Sequence, residues 1–258
     1  MTALADTFTL TVRDLLRLWR QPVFIFVSLV QPVIWLLLFG ALFERVVDIP
    51  GFEGGGDYKQ YIVPGVLVMT AFFSSGWSGM STIEDLDRGV TDRLLVTPVA
   101  RWPLIAGRVG QNLVQVTIQS LIIVGLALAI GVELEGGPLG VAVLLVAGGL
   151  LGTGFSALSN ALALVTRTEE SLIGAVTFLQ LPLVFLSTAF MQPSLMPSWM
   201  GTAADYNPVD WAIVAGREAV QSGTDWGVVA GHCGLLAAFA LACLVLATRA
   251  FRAYQAQV

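Results

Sequence analysis

The sequence predicts an all-α integral membrane protein with six transmembrane helices. Three observations predict it. The chain is 56% hydrophobic and only 12% charged, with a mean hydropathy of +0.79. Its apolar residues gather into long runs separated by short polar loops, and its cations are spread unevenly over those loops. The hydrocarbon core of a bilayer is about 30 Å thick and takes about 20 helical residues to cross. Backbone N–H and C=O groups find no water there, so such runs must close their hydrogen bonds as helices. The spans are expected at Pro22–Phe43, Ile62–Ile83, Val109–Val132, Leu139–Val165, Ser171–Met191 and Gly227–Thr248.

Charge placement orients them. With the N-terminus inside and six alternating spans, Arg13, Arg17, Arg20, Arg88, Arg93, Arg101, Arg108, Arg167, Arg249 and Arg252 fall inside. Only Arg45, Lys59 and Arg217 fall outside. Such an excess of cations marks the cytoplasmic side, and acidic residues weigh little in that rule. Both termini are expected in the cytoplasm. The net charge of −5 therefore does not point to a basic partner or a nucleic acid. The polar connections are too short to build a second core, so residues 1–258 read as one transmembrane domain. The start lacks a short apolar core with a small-residue cleavage site, so no cleavable signal is expected. Arg supplies nearly all the positive charge, Lys59 being the sole lysine, which hints at a GC-rich bacterial genome.

Each element has its own signal. In residues 1–21, Phe8, Val12, Leu15 and Trp19 follow a helical spacing, with Arg13, Arg17 and Arg20 on another face. A basic amphipathic helix of this kind lies in the membrane interface. Residues 44–61 form a flexible outer loop with Gly54, Gly55 and Gly56. Residues 84–100, EDLDRGVTDRLLVTPVA, form a charged cytoplasmic segment. Thr91–Leu95 reads as a short helix that Thr97-Pro98 ends. Leu94, Leu95 and Val96 are apolar residues in that charged setting, and such a cluster wants a partner surface.

Gln111, Gln115 and Gln119 recur every fourth residue and share one face of span three, with Asn112 and Ser120 beside it. Ser156, Ser159 and Asn160 lie in span four. Polar groups at such depth turn inward, either to bond neighbouring helices or to line a cavity. Gly148, Gly149, Gly152 and Gly154 let other helices approach span four closely. After span five, Pro193 and Pro197 break the chain and Asn207-Pro208 starts a helix running to about Val220. Residues 191–221 thus read as two short outer helices forming a re-entrant element buried against protein.

Catalytic and metal chemistry have little to stand on. No Gly-Lys-Ser/Thr phosphate loop occurs, and His232 is the sole histidine. Cys233 and Cys243, on one helix, lie about 15 Å apart and cannot pair. Glu169-Glu170 faintly matches the paired glutamates of intramembrane CAAX-type proteases, but Gly174 stands where that pattern wants Arg. The pair is better placed as acids on a helix N-terminus.

Taken together, the amphipathic start, RGVTDRLLVTPVAR after span two and FLSTAFMQPSLMPSWM…YNPVDWAIVAGREA after span five resemble the ABC-2 type permease family. Within it they resemble the daunorubicin-resistance-type branch. The likeness covers essentially the whole chain. Asp92 stands where the family often has Glu.

The resemblance implies a permease subunit of an ATP-binding-cassette exporter of amphipathic drug-like or lipid-like compounds. It implies no catalytic residue, no metal and no cofactor in this chain. ATP and Mg would bind a separate nucleotide-binding ATPase subunit, present in two copies, and a second permease chain would complete a homodimer or heterodimer in the bacterial plasma membrane. Residues 1–21 become a connecting helix. Asp87, Arg88, Gly89, Asp92, Arg93, Leu94, Leu95, Thr97 and Pro98 become the ATPase-coupling segment, with Arg167, Glu169 and Glu170 a second cytoplasmic contact. Phe72, Phe73, Trp77, Gln111, Gln115 and Phe178 become the substrate path, and Phe190, Pro193, Asn207 and Pro208 the outer gate. The alternatives are an ATP-independent secondary transporter or an intramembrane enzyme. No ionisable residue falls in a span centre and no catalytic constellation is evident, so the sequence favours neither.

Overall fold

A computed structural model describes residues 29–43, 58–89 and 102–255, with the side chains of 102–105 and 255 left aside. The expected connecting helix, the outer loop 44–57 and the segment 90–101 lie outside the described residues. The described chain is all-helical, with no strand. Its elements are α1 (Leu29–Leu42), α2 (Tyr58–Asp87), α3 (Trp102–Ala129), α4 (Gly137–Thr166), α5 (Glu169–Phe185), α6 (Ser198–Asp205), α7 (Pro208–Val220) and α8 (Trp226–Gln255).

By length and apolar composition, α2, α3, α4 and α8 can each cross a membrane. Along the bundle α2 and α3 run antiparallel, whereas α4 and α8 run parallel, with Arg167 at the end of α4 lying over the Tyr254 ring near the end of α8. One end therefore carries Arg88, Arg108, Arg167, Arg249 and Arg252, and the other carries Glu133, Glu135, Glu218 and Asp225. We refer to these as the Arg-rich and acidic ends.

Helix α4 is the axis of the bundle, packing against α2, α3, α5, α7 and α8. Its glycines make this possible. At Gly154 the ring of Phe239 from α8 occupies the space a Cβ would take, and at Gly152 the hydroxyl of Ser75 from α2 lies in the same relation. At Gly140 the backbone of α7 itself comes close, through the carbonyl of Ala219. The core formed around α4 contains Leu67, Phe72, Leu144, Leu151, Phe155, Ile213 and Leu236. Phe72 meets Phe155 edge-on with ring centroids 4.4 Å apart. A second cluster closes the acidic end, where Leu36 of α1 packs with Ile62, Val63 and Ile123.

Two helices depart from the plain pattern. Residues Trp35–Phe39 of α1 form a π-helical segment. In α2, residues Trp77–Gly79 tighten into a single 3₁₀ turn between two α-helical stretches. The helix then continues to Asp87, past the expected end at Ile83, and stops at Gly89, whose φ of +62° suits glycine.

Span five is corrected. The apolar run continues to Met191, yet α5 ends at Phe185. Its 17 residues rise about 25 Å, less than the bilayer core. Pro182 lies in its last turn. The next residues leave the helix because other partners hold their backbone: Thr188 N donates to Asp210 Oδ1 at 2.7 Å, and the Leu186 carbonyl accepts from Asn207 Nδ2 at 3.0 Å. The Ala189 carbonyl then crosses α2 at Gly65, where any Cβ would stand 2.7 Å from it.

This packing makes a paired prediction. Gly140→Ala places a methyl group against the Ala219 backbone and should cost about 1–3 kcal/mol. Gly174→Ala on α5 meets nothing within 4 Å and should be neutral or slightly stabilising, since Ala is the better helix former. Thermal melts in detergent compare the two, and an unchanged melt for Gly140→Ala contradicts this packing.

Candidate functional site

Side chains of α4 and α5 bond the backbone of α2 at and beside the 3₁₀ turn. Ser159 Oγ donates to the Gly76 carbonyl and accepts from Gly79 N at 3.0 Å. Ser78 Oγ and Ser156 Oγ share a hydrogen at 2.7 Å, and Asn160 Nδ2 donates to Ser78 Oγ at 3.0 Å. From α5, Gln180 Nε2 fills the space left by Gly76 and donates to the Phe72 carbonyl at 2.9 Å. The expected inward-facing serines and asparagine of span four thus staple a broken helix.

Below the turn, toward the Arg-rich end, Arg108 Nη2 of α3 pairs with Asp85 Oδ2 at 2.9 Å. Their side chains are only 11% and 10% exposed. Arg108 also donates to Thr82, which itself donates to Asn160 Oδ1. One connected set of polar groups therefore joins α2, α3 and α4 at this end.

Above the turn lies a partly open cavity of about 210 Å³ between α1, α2 and α3. Trp35 from α1, Val66, Met69, Phe73 and Trp77 from α2 form its apolar walls. Thr70, Ser74, Gln115 and Gln119 form a polar side, and Gln31 and Pro32 complete the lining. Gln111 Nε2 donates to Gln115 Oε1 at 3.2 Å, and Gln115 Nε2 donates to Ser74 Oγ at 3.2 Å. The glutamine row of span three is therefore partly a packing device and partly a cavity wall.

At the acidic end a third network holds the chain after α5. Asp210 Oδ1 accepts from both the backbone N and the hydroxyl of Thr188, at 2.7 and 2.6 Å. Arg217 Nη2 donates to the Thr188 carbonyl at 2.9 Å, and its guanidinium lies 3.8 Å over the Tyr61 ring. Tyr61 Oη also donates to that carbonyl, at 2.9 Å, and Tyr58 Oη donates to the Phe190 carbonyl at 3.0 Å. Asn207 caps both neighbours. Its Oδ1 accepts from Val209 N at 3.0 Å, and its Nδ2 donates to the carbonyls of Leu183 in the last turn of α5 and Leu186 just after it.

With this geometry established, the comparison with known proteins is direct. The sequence profile of the ABC-2 type transporter family matches residues 5–220. This chain belongs to that family. It is 34% identical over 211 residues to the putative transport permease ycf38 of Cyanophora paradoxa, covering 81% of this chain and 71% of that one. It is 29% identical over 244 residues to the daunorubicin resistance ABC transporter permease protein DrrB1 of Streptomyces coeruleorubidus, covering 93% and 84%. To the inner membrane transport permease YadH of Escherichia coli K12 it is 26% identical over 218 residues, covering 82% and 80%. The chain is thus a multi-pass membrane permease subunit of an ABC transporter.

In this ABC-2 permease the residues singled out by sequence separate into groups. Phe73, Trp77 and Gln115 line the cavity and Gln111 bonds its wall. Phe72, fully buried, turns the other way into the α4 core. Phe178 is 82% exposed on α5, away from the cavity. Asp87, Arg88 and Gly89 end α2, where Arg88 pairs with Glu84 at 3.8 Å. Asp92, Arg93, Leu94, Leu95, Thr97 and Pro98 lie outside the described residues. Arg167 caps α4 with a φ of +55° and lies 5.0 Å over the Tyr254 ring, and Glu169 and Glu170 open α5 behind Thr168. Phe190 sits among Trp35, Phe39 and Phe185, Pro193 opens a short 3₁₀ turn, and Pro208 is the first residue of α7.

Sequence reasoning missed three features. Arg217, counted as an outer-loop charge, is bound to the loop it was expected to decorate. Its seven-residue spacing from Asp210, two turns along a helix whose intervening residues are uncharged, was the available signal. Asp85 and Arg108 were read as loop charges, and nothing in their spacing announces the pair. Val66 and Thr70, which share a helical face with the expected Phe73 and Trp77 and complete the α2 wall of the cavity, were not singled out.

Breaking a buried ion pair by removing one partner costs about 3–5 kcal/mol, whereas replacing both partners with apolar residues is often neutral. Asp85→Leu and Arg108→Leu should each lower thermal stability in detergent by that order, and the double variant should recover most of the loss. A double variant no better than the worse single one contradicts the pairing.

Proposed function

We propose that this chain is the permease of an exporter that moves amphipathic drug-like or lipid-like compounds across the bacterial plasma membrane, driven by a separate ATPase. The observation that carries this reading is the continuity of α2. Trp77 lines the cavity and also opens the 3₁₀ turn, and the same helix runs on through Asp85 to Asp87 at the Arg-rich end. A displacement of that end reaches the cavity wall along one element, through the turn whose side-chain partners on α4 and α5 it would exchange.

In this reading the Arg-rich end faces the cytoplasm with both termini. Six helices span the bilayer, α1 completed by residues before Leu29 and α5 by the buried loop that follows it. Residues 1–21 form the connecting helix. Residues 84–100 dock into a groove of the ATPase through Asp87, Arg88, Gly89, Asp92, Arg93, Leu94, Leu95, Thr97 and Pro98, with Arg167, Glu169 and Glu170 as a second contact. Two permease chains and two ATPase subunits, which hold the ATP and Mg, make the transporter. Residues 191–221 form a re-entrant lid in which Phe190, Pro193, Asn207 and Pro208 shape the exit. ATP binding closes the ATPases and rocks the permease halves, and substrate biases that equilibrium only by its differential affinity for the two states.

The experiment is purification from membranes in mild detergent followed by an ATPase assay. Co-purification of a P-loop ATPase, with hydrolysis that depends on this chain, supports the reading, and a chain that purifies alone from membranes containing such ATPases overturns it. Asp92→Arg, Arg93→Asp and Leu95→Pro should leave membrane insertion intact. Coupling free energies of 1–3 kcal/mol correspond to about 5–150-fold effects, and ATP-driven transport by these variants should fall within that range. Normal transport by all three removes the segment from the coupling role.

A further inference from the structure

We infer that the α1–α2–α3 cavity binds one end of an uncharged amphiphile, a flat apolar body of one or two fused rings carrying hydroxyl or carbonyl groups. This rests on the exporter reading and adds the chemistry and place of the ligand: a site within one permease chain.

Size sets the first limit. An engineered cavity of about 150 Å³ holds one benzene, and sites for whole drug-sized ligands run from about 300 Å³ upward. At about 210 Å³ the cavity accepts a one- or two-ring portion, and the remainder of a larger molecule projects through the opening.

The walls set the shape. Trp35, Phe73 and Trp77 offer flat apolar faces, and Trp77 is still 38% exposed. Trp35 is the first residue of the π-helical segment and stacks on Phe39 with centroids 4.6 Å apart. Single π-helical segments inside α-helices occur frequently at functional sites, and this one borders the cavity.

The polar side sets the charge. Thr70, Ser74, Gln115, Gln119 and Gln31 carry hydroxyl and amide groups, and among the described residues the lining contains no Asp, Glu, Lys, Arg or His. Thr70 Oγ1 donates to the Val66 carbonyl at 2.7 Å and keeps lone pairs for a ligand donor. Ser74 Oγ accepts from Gln115 and retains its own hydrogen to donate. A neutral hydroxyl or carbonyl group finds partners here. A cation would gain about 2 kcal/mol or somewhat more from the aromatic faces, against a burial cost of several kcal/mol per unpaired ion, and it meets no carboxylate among the described lining residues. An anion meets no cation among the described lining residues. Neutral ligands therefore win.

The test uses the full chain in lipid nanodiscs, with empty nanodiscs subtracted. Equilibrium dialysis measures the binding of 4-methylumbelliferyl glucoside, the corresponding phosphate, and a coumarin of the same ring size bearing an aminoethyl group. The glucoside should bind at least about tenfold more tightly than either charged probe. Trp77→Ala and Gln115→Met should each weaken it about tenfold, while Leu241→Ala on α8 should not. Thermal melts confirm folding, and Trp35→Leu replaces either variant that fails to fold. Equal or tighter binding of a charged probe, or glucoside binding indifferent to the cavity substitutions, overturns the proposal. ATP-dependent uptake into inverted membrane vesicles separates this failure from that of the exporter reading. Uptake of any amphiphile that needs ATP and this chain keeps the exporter when the pocket fails, whereas uptake that never needs ATP overturns the exporter itself.

Discussion

Close backbone approach to α4 is the constraint on which the bundle depends. In a bilayer the lipid tails are as apolar as leucine, so helices gain little by hiding apolar surface from water. What remains is contact and hydrogen bonding, and both need short distances. Glycines on several faces of α4 give them. Gly140 admits the backbone of α7, Gly152 the hydroxyl of Ser75, and Gly154 the ring of Phe239. The same closeness brings Ser156, Ser159 and Asn160 within bonding distance of α2. Larger side chains on α4 would separate the helices and leave those hydroxyl and amide groups without partners in hydrocarbon.

That closeness permits α2 to break. A 3₁₀ turn in a membrane helix releases backbone groups that no water can satisfy, each at a cost of several kcal/mol if left alone. Here Ser159 takes the Gly76 carbonyl and Gly79 N, and Gln180 takes the Phe72 carbonyl. The turn is therefore held rather than loose, and it would move by exchanging one set of side-chain partners for another. The loop after α5 follows the same rule. Its backbone leaves the helix only because Asp210, Arg217, Tyr61 and Asn207 replace the helical bonds.

Much of this architecture was legible in the sequence, for reasons that differ by element. The long helices announce themselves because bilayer thickness fixes their length. Asn207-Pro208 marked the start of α7 because capping chemistry is local. The polar faces of spans three and four were visible as a four-residue repeat and a cluster. The end of α5 was not visible, because the run to Met191 is mostly apolar and carries no charge after Glu170, and its exit from the helix is set by residues far along the chain. Phe72 and Phe73 are neighbours of equal hydrophobicity, and only the placement of α4 decides that Phe72 enters the core while Phe73 faces the cavity. The Asp85–Arg108 pair was hidden for the same reason: it is made by two helices whose relative depth no local pattern records.

The cavity and the break occupy the same stretch of α2, and geometry accounts for it. A 3₁₀ turn advances about 2.0 Å per residue with three residues per turn, against 1.5 Å and 3.6 in an α-helix. Three residues in that form rotate everything beyond them by about 60° relative to an unbroken helix. The faces above and below Trp77 therefore point in different directions. Above it Val66, Thr70 and Phe73 turn toward α1 and α3 and wall the cavity. Below it Thr82 and Asp85 meet Asn160 and Arg108. In an unbroken α2 the two faces would lie about 60° away from this relation. Converting the turn to α-helix or extending it would rotate one set against the other about Trp77, which belongs to both the break and the cavity wall.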